Sequence, residues 1–261
     1  MTAPRCRAIR LGIGPDARKG RSPEDDAPSI PYEDISDLFK EAIENAMREA
    51  WRRLPAEARR QAIDLRTAGE TSITRLLRDE LEKLRRDDAR PVPDFNDDAF
   101  VFIPESEGVP DWSGRPLDNT TNKPDLVVRP IKPPAGVVRT STYGMFIECK
   151  ILDRSREHHG IGDYCTSGLL KFVQGIYAAV MPSGMMVAYV RNRKSVPSCL
   201  TPHLRGNATR YEVKVLPEAR WNDPRTPPVY VSRHGRTTVV VGATRRVPGD
   251  IDIAHLWLDV A

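Results

Sequence analysis

Three charged side chains interrupt two short apolar runs, and their spacing is the first sign of chemistry in this sequence. The runs are Lys123-Pro124-Asp125-Leu126-Val127-Val128 and, after a turn-rich interval, Tyr143-Gly144-Met145-Phe146-Ile147-Glu148-Cys149-Lys150-Ile151-Leu152. Both are bounded by Pro or Gly and are too short for helices, so they predict mostly buried strands. A side-chain period of two puts Glu148 and Lys150 on one face, while Ile147, Cys149 and Ile151 point to the other and can pack. An unpaired carboxylate or ammonium in a covered strand costs several kcal/mol, so such groups are paired, neutralised or bound to a metal. Asp125, on the neighbouring strand, is placed to complete a cluster. The plainer alternative makes Glu148 and Lys150 a solvated cross-face pair on an exposed sheet and Asp125 a turn residue.

Helical patterns surround these strands. Ile35, Leu38, Phe39, Ala42, Ile43, Ala46, Met47, Ala50 and Trp51 recur at helical spacing and predict an amphipathic helix ending near Leu54-Pro55. A second helix, from Gly69 to Leu84, carries Ile73, Leu77 and Leu84 on one face; at about 100° per residue, Glu70 and Glu80 fall on that face too. Glu70 is either a group with a task or a partly exposed carboxylate stabilised by the helix dipole. Ala99 to Ile103 predicts a first strand. After Lys150, a polar loop leads into a predicted helix of about 18 residues, over 163–181, whose apolar positions include Leu169, Leu170, Phe172, Val173, Ile176 and Tyr177. Gln174 sits at the edge of that stripe and Lys171 on the outer face. Met185 to Val190 predicts the strand that follows. Further short strands, or a strand and a helical turn, are predicted around Tyr211, Val229, Thr237 and Ile253.

In this order the residues resemble the PD-(D/E)xK nucleases, also called restriction endonuclease-like. Pro124-Asp125 matches the first part of their pattern and Glu148-Cys149-Lys150 the second, and the resemblance spans roughly residues 66–192. It implies an α/β fold with a restriction endonuclease-like core: a central mixed β-sheet flanked by helices, here with an N-terminal helical segment and C-terminal peripheral strands. It also implies metal-dependent hydrolysis of phosphodiester bonds in nucleic acid, DNA ahead of RNA, leaving a 5′-phosphate and a 3′-hydroxyl. Asp125, Glu148 and the backbone carbonyl of Cys149 would ligate Mg²⁺ or Mn²⁺, hard cations that prefer oxygen. Lys150 would orient the attacking water or, with a lowered pKa, help to deprotonate it. Glu70 would hold a second ion or a metal-bound water. Some exonuclease branches carry Gln-x-x-x-Tyr on the later helix. Here Gln174-Gly-Ile-Tyr177 is one residue short, so only a weaker expectation carries over, that Gln174 faces the site and orients phosphate.

At 261 residues the chain can hold one core with appendages. The pattern divides it into a flexible basic arm (1–30), a helical segment (31–65), the nuclease-like core (66–194) and a C-terminal extension packed on that core (195–261). No apolar run approaches the about 18 to 20 residues of a spanning helix, and the Arg-containing start lacks a secretory apolar segment, so a cytoplasmic protein is expected. Cys6, Cys149, Cys165 and Cys199 have neither zinc-site nor disulfide-framework spacing. The net charge of +4 permits contact with a polyanion without establishing it. Arg154, Arg156, Arg191, Arg193 and Lys194 are the expected nucleic-acid contacts, with further basic residues in the arm, at Arg233-His234-Gly235-Arg236 and at Arg245-Arg246. The rival reading is a non-catalytic nucleic-acid- or partner-binding module on the same fold. A homo-oligomer, or a partner protein within a restriction or antiphage defence system, is compatible with either.

Overall fold

The computed structural model describes residues 31–103, 123–137, 140–153, 159–191, 193–220, 226–236, 239–241, 244–246 and 249–260. The expected basic arm, Arg154 and Arg156 lie outside them. Two long helices open the described chain, α1 (Asp37–Arg60) and α2 (Glu70–Arg85). The Ser36 side chain caps α1 by accepting from the Phe39 N–H. The helix runs through Pro55 rather than ending there. Ala58 is buried beyond the proline, and the buried Glu57 accepts from Lys83 of α2 at 3.0 Å, so packing outweighs the one backbone bond that proline removes.

The described residues form nine strands after them: β1 (Phe100–Ile103), β2 (Leu126–Pro130), β3 (Met145–Leu152), β4 (Ser183–Val190), β5 (Val213–Ala219), β6 (Val229–His234), β7 (Val239–Val241), β8 (Thr244–Arg246) and β9 (Ile251–Asp259). Seven form one mixed sheet in the order β1-β2-β3-β4-β9-β6-β5, and β7 and β8 pair separately. The β1-β2-β3 meander is antiparallel, β4 lies parallel to β3 and to β9, and β9-β6-β5 is antiparallel again. Gly144 (φ +155°) opens β3. A Cβ there would lie 2.8 Å from the Val128 carbonyl oxygen, so a side chain would push β3 off β2.

One expectation needs correction here. Ile251 to Asp259 is not peripheral: it is a nine-residue, mostly buried strand in mid-sheet, between β4 and β6. Its apolar run is broken by Asp252 and His255. Only β5 and β6 lie on the outer side of β9.

Helices cover both faces. Tyr189 of β4, in register with Ile151, stacks on Trp51 of α1 with ring centroids 5.4 Å apart, and its hydroxyl lies 3.0 Å from Thr74 Oγ1 of α2. On the opposite face, Glu148, Met186 and His255 stand side by side across β3, β4 and β9. This face is covered by α3 (Ile161–Asp163), a π-helical turn (Tyr164–Leu169) and α4 (Leu170–Val173). The single long helix expected over 163–181 is therefore broken. Thr166 and Ser167 donate their hydroxyls to the carbonyls of Gly162 and Asp163, four residues back, which competes with the α-helical ladder. Gly168 then presses on the sheet: a Cβ there would collide with Met186 Cε and come 3.6 Å from Glu148 Cγ. A second π-turn (Val196–Leu200) and α5 (Thr201–Gly206) follow β4.

The covered face buries a polar chain whose proton positions follow from one fixed end. The Tyr211 carbonyl can only accept, so His234 Nδ1, 2.7 Å away, carries a hydrogen. His234 is neutral, its pKa lowered by burial, so its Nε2 accepts from the Ser232 hydroxyl at 2.7 Å. Ser232 in turn accepts from His255 Nε2 at 2.7 Å, His255 Nδ1 accepts from the Tyr164 hydroxyl at 2.9 Å, and Trp257 Nε1 donates to Tyr164 at 3.3 Å. Burial, then the neighbouring His234, pushes the His255 pKa down to about 3. Long-range ¹H–¹⁵N spectra near about pH 7.5 should show His255 as the Nε2–H tautomer and His234 as the Nδ1–H tautomer, both neutral. Ser232→Ala removes the partner of both rings and should cost on the order of 2 kcal/mol or more in urea unfolding. A charged imidazole, or an unchanged midpoint, would contradict the chain.

Candidate active site

The site forms where β2 and β3 part. The pairing of these strands begins with Leu126 opposite Ile147, so among the described residues β3 runs on beyond that point with no strand on its β2 side. Its N–H and C=O groups there need partners, because an unpaired buried backbone group costs about as much as a lost hydrogen bond. Side chains supply them. Asp125, just ahead of β2, accepts from the Cys149 N–H through Oδ2 at 2.7 Å. Glu70, the first residue of α2, accepts from the Ile151 N–H through Oε2 at 3.1 Å. The Cys149 carbonyl accepts from Lys150 Nζ at 3.0 Å.

Lys150 is the centre of the cluster. Besides that carbonyl, its ammonium lies 2.9 Å from Glu70 Oε1 and 2.8 Å from Glu148 Oε1, so its three hydrogens have three oxygen acceptors. Burial alone would lower the Lys150 pKa. Glu148, then Glu70 and Asp125, outweigh it and hold the pKa above the ordinary lysine value. Of the two roles expected for Lys150, this arrangement favours the protonated donor over the base.

Asp125 moves the other way from an ordinary carboxylate. Burial, then the adjacent Glu148, raises its pKa to about 7, with Lys150 and the Cys149 N–H pulling it back. The Cys149 thiol is fully buried and pushed well up by burial, so Cys149 contributes its backbone and not a thiolate. Glu148 is 2% exposed, and among the described residues its Oε2 has no hydrogen-bond partner.

Sequence reasoning missed one cation. Lys171 Nζ of α4 reaches Glu148 Oε1 at 3.3 Å and the Tyr177 hydroxyl at 2.8 Å, and that hydroxyl donates to the Lys123 carbonyl at 2.7 Å. A uniform α-helix places Lys171 outside and Gln174 near the site. The π-turn, which closes i→i+5 bonds, shifts the faces of everything after it. Gln174 is exposed at the C-terminal cap of α4 and does not join the cluster. The Thr-Ser pair and Gly168 are the sequence signal that would have located the turn.

Arg191 is also reassigned. Its side chain is 5% exposed, donates to the Leu65 carbonyl at 2.9 Å and to the Ala68 carbonyl, and lies 3.7 Å from Asp153 Oδ2. It is a clamp on the loop that ends at Gly69 and Glu70, not a surface contact for nucleic acid. Arg193 is exposed and Lys194 partly exposed, so both face solvent as a binding surface requires. In the second basic segment, Arg233 pairs with Asp252 at 2.7 Å, and Arg236 is buried against the carbonyls of Gly249 and Ala178.

Among the described residues, no three Asp, Glu, His or Cys side chains form a ready metal cage. Asp125, Glu148 and Glu70 are instead tied together by backbone and by the Lys150 ammonium. No model of a protein family, no curated protein and no solved structure matches the chain.

The Asp125 shift yields a stability test. A carboxyl whose folded pKa is about 7 keeps its proton where the unfolded chain has already lost one, so the folded state binds more protons below that pH. Its contribution therefore falls as pH rises from about 4 to 7, and the penalty is complete above that window. Asparagine removes the charge while retaining an acceptor for the Cys149 N–H. In EDTA, Asp125→Asn should be more stable than wild type above neutrality, by on the order of 1–3 kcal/mol after allowance for partial exposure, with the advantage shrinking toward pH 4. Urea titrations of both proteins across pH test this; an advantage independent of pH would refute it.

Proposed function

We propose that the chain is a metal-dependent nuclease of the PD-(D/E)xK type that hydrolyses phosphodiester bonds, with DNA ahead of RNA as substrate. The observation that carries this reading is the convergence of Asp125, Glu148, Lys150 and Glu70 at the unpaired edge of β3. The chain order supports it: a Glu-bearing helix, then strands, then a helical segment and a further strand in the same mixed sheet, follow the order that the resemblance implies.

The donor set fits a hard divalent cation. Glu148 Oε1 and the Cys149 carbonyl already hold one cationic group, the Lys150 ammonium, and Glu148 Oε2 is a buried oxygen still lacking a partner. Asp125, Glu148 and the Cys149 carbonyl would be the ligands, and Mg²⁺ or Mn²⁺ bound there would screen phosphate charge and lower the pKa of water. Glu70 has one oxygen on the Ile151 N–H and the other on Lys150, which suits it to orient the lysine rather than to ligate an ion. With Glu148 and the Cys149 carbonyl turned to the ion, Lys150 would keep Glu70 as its acceptor and have hydrogens free for a phosphate oxygen or for the attacking water. Arg193 and Lys194 would add phosphate contacts that position the polymer without reading its bases.

The test incubates purified protein with plasmid, linear duplex, single-stranded DNA and RNA, each with Mg²⁺, Mn²⁺ or EDTA. Wild type should cleave at least one substrate in a metal-dependent way. Asp125→Asn, Glu148→Gln and Lys150→Met should each lose about a hundredfold or more while retaining a cooperative melt. Binding without cleavage on every substrate would favour the non-catalytic module, and full activity in folded Lys150→Met would remove that lysine from the chemistry.

A further inference from the structure

Lys171 is the second ammonium at the site. It comes from a different structural layer than Lys150, and it is held in place: Tyr177 accepts from it at 2.8 Å and is itself anchored on the Lys123 carbonyl, two residues before Asp125. Its side chain is 21% exposed, against 10% for Lys150, so it is the more accessible ammonium of the two. The cluster thus sets three carboxylates, Asp125, Glu148 and Glu70, against two ammoniums, one net negative charge when all are ionised.

We propose that Lys171 is the second ammonium of this site, binding the substrate phosphate and limiting the site to one divalent ion. The proposal rests on the nuclease reading. One divalent ion turns the net charge of the cluster from one negative to one positive, the complement of a single phosphodiester. Without Lys171 the ion-loaded site would be neutral, and nothing in its balance would attract the diester. A second ion has few oxygens left. Both Glu70 oxygens are engaged, by the Ile151 N–H and by Lys150, and Glu148 Oε1 already faces two ammoniums. An ion on the Lys171 side of Glu148 would also sit against a fixed like charge.

The experiment reads binding rather than turnover. Mn²⁺ stoichiometry is measured by electron paramagnetic resonance and calorimetry. Binding of a fluorescein-labelled DNA duplex is measured by anisotropy in Ca²⁺ across a KCl series, for wild type, Lys171→Met and Lys171→Arg, with a melt for each. Wild type should bind one Mn²⁺. Lys171→Met should bind one Mn²⁺ at least as tightly, lose about tenfold in duplex affinity, and show a slope of log affinity against log salt reduced by about 0.9, the value of one phosphate contact. Lys171→Arg should restore the slope. If Lys171→Met does not fold, Lys171→Gln carries the same comparison. Two Mn²⁺ bound by wild type, or an unchanged slope and affinity in the uncharged variant, would overturn the proposal and leave the nuclease reading standing. No Mn²⁺ bound by wild type would overturn both.

Discussion

The unpaired edge of β3 beyond Ile147 governs this molecule. A buried strand cannot leave its N–H and C=O groups without partners, and β2 starts too late to supply them. The deficit is met by Asp125, Glu70 and the Lys150 ammonium, so the groups that complete the sheet are also those of the candidate site. Each has its own support. Glu70 depends on where α2 begins, and Arg191 fixes that by gripping the carbonyls of Leu65 and Ala68. Asp125 depends on the turn into β2, whose Lys123 carbonyl is held by Tyr177. Removing Lys150 would leave Glu148, nearly inaccessible to solvent, with Lys171 as its remaining ammonium.

The two regions of buried polarity on this face meet the cost of desolvation in opposite ways. Around His255 the groups are neutral, and one chain of hydrogen bonds from Trp257 to the Tyr211 carbonyl satisfies every donor. Around Lys150 carboxylates and ammoniums meet in ion pairs instead. Neutral chains of this kind fix structure, since nothing in them changes over the physiological pH range. A charged cluster with an unsatisfied carboxylate oxygen is poised to take something else, and perturbed carboxylates in such places mark functional sites. The π-turn belongs to both regions: Tyr164 anchors it to the neutral chain, and Gly168 and the following Lys171 press toward Glu148.

Much of this arrangement was legible in the sequence. Period-two patterning located β1 to β4 and put Glu148 and Lys150 together, and helical spacing put Glu70 on the inner face of α2, because apolar periodicity reports burial directly. What escaped had its cause in groups distant in sequence. Arg191 read as surface because its partners are backbone carbonyls more than a hundred residues earlier. The strand at Ile251 read as peripheral because His255 is polar by composition and apolar in effect once paired with Tyr164 and Ser232. Lys171 and Gln174 exchanged places because periodicity assumes one helical pitch, and two hydroxyls bonding four residues back changed it.

The direction of the two pKa shifts bears on what each group can contribute. A lysine whose ammonium touches two carboxylates and a carbonyl is a poor base, because removing its proton would leave those oxygens facing one another unscreened. Its use lies in the charge it keeps. Asp125, at about 7, is the carboxylate whose protonation is nearly balanced at neutrality, and its proton is what an arriving cation would displace. The same burial that destabilises the Asp125 charge therefore makes that charge available to a stronger partner than water. Lys150 meanwhile holds the remaining oxygens in place. On the nuclease reading, the cluster separates the task of ligation, given to groups that burial leaves wanting a cation, from the task of donation, given to groups that already are one.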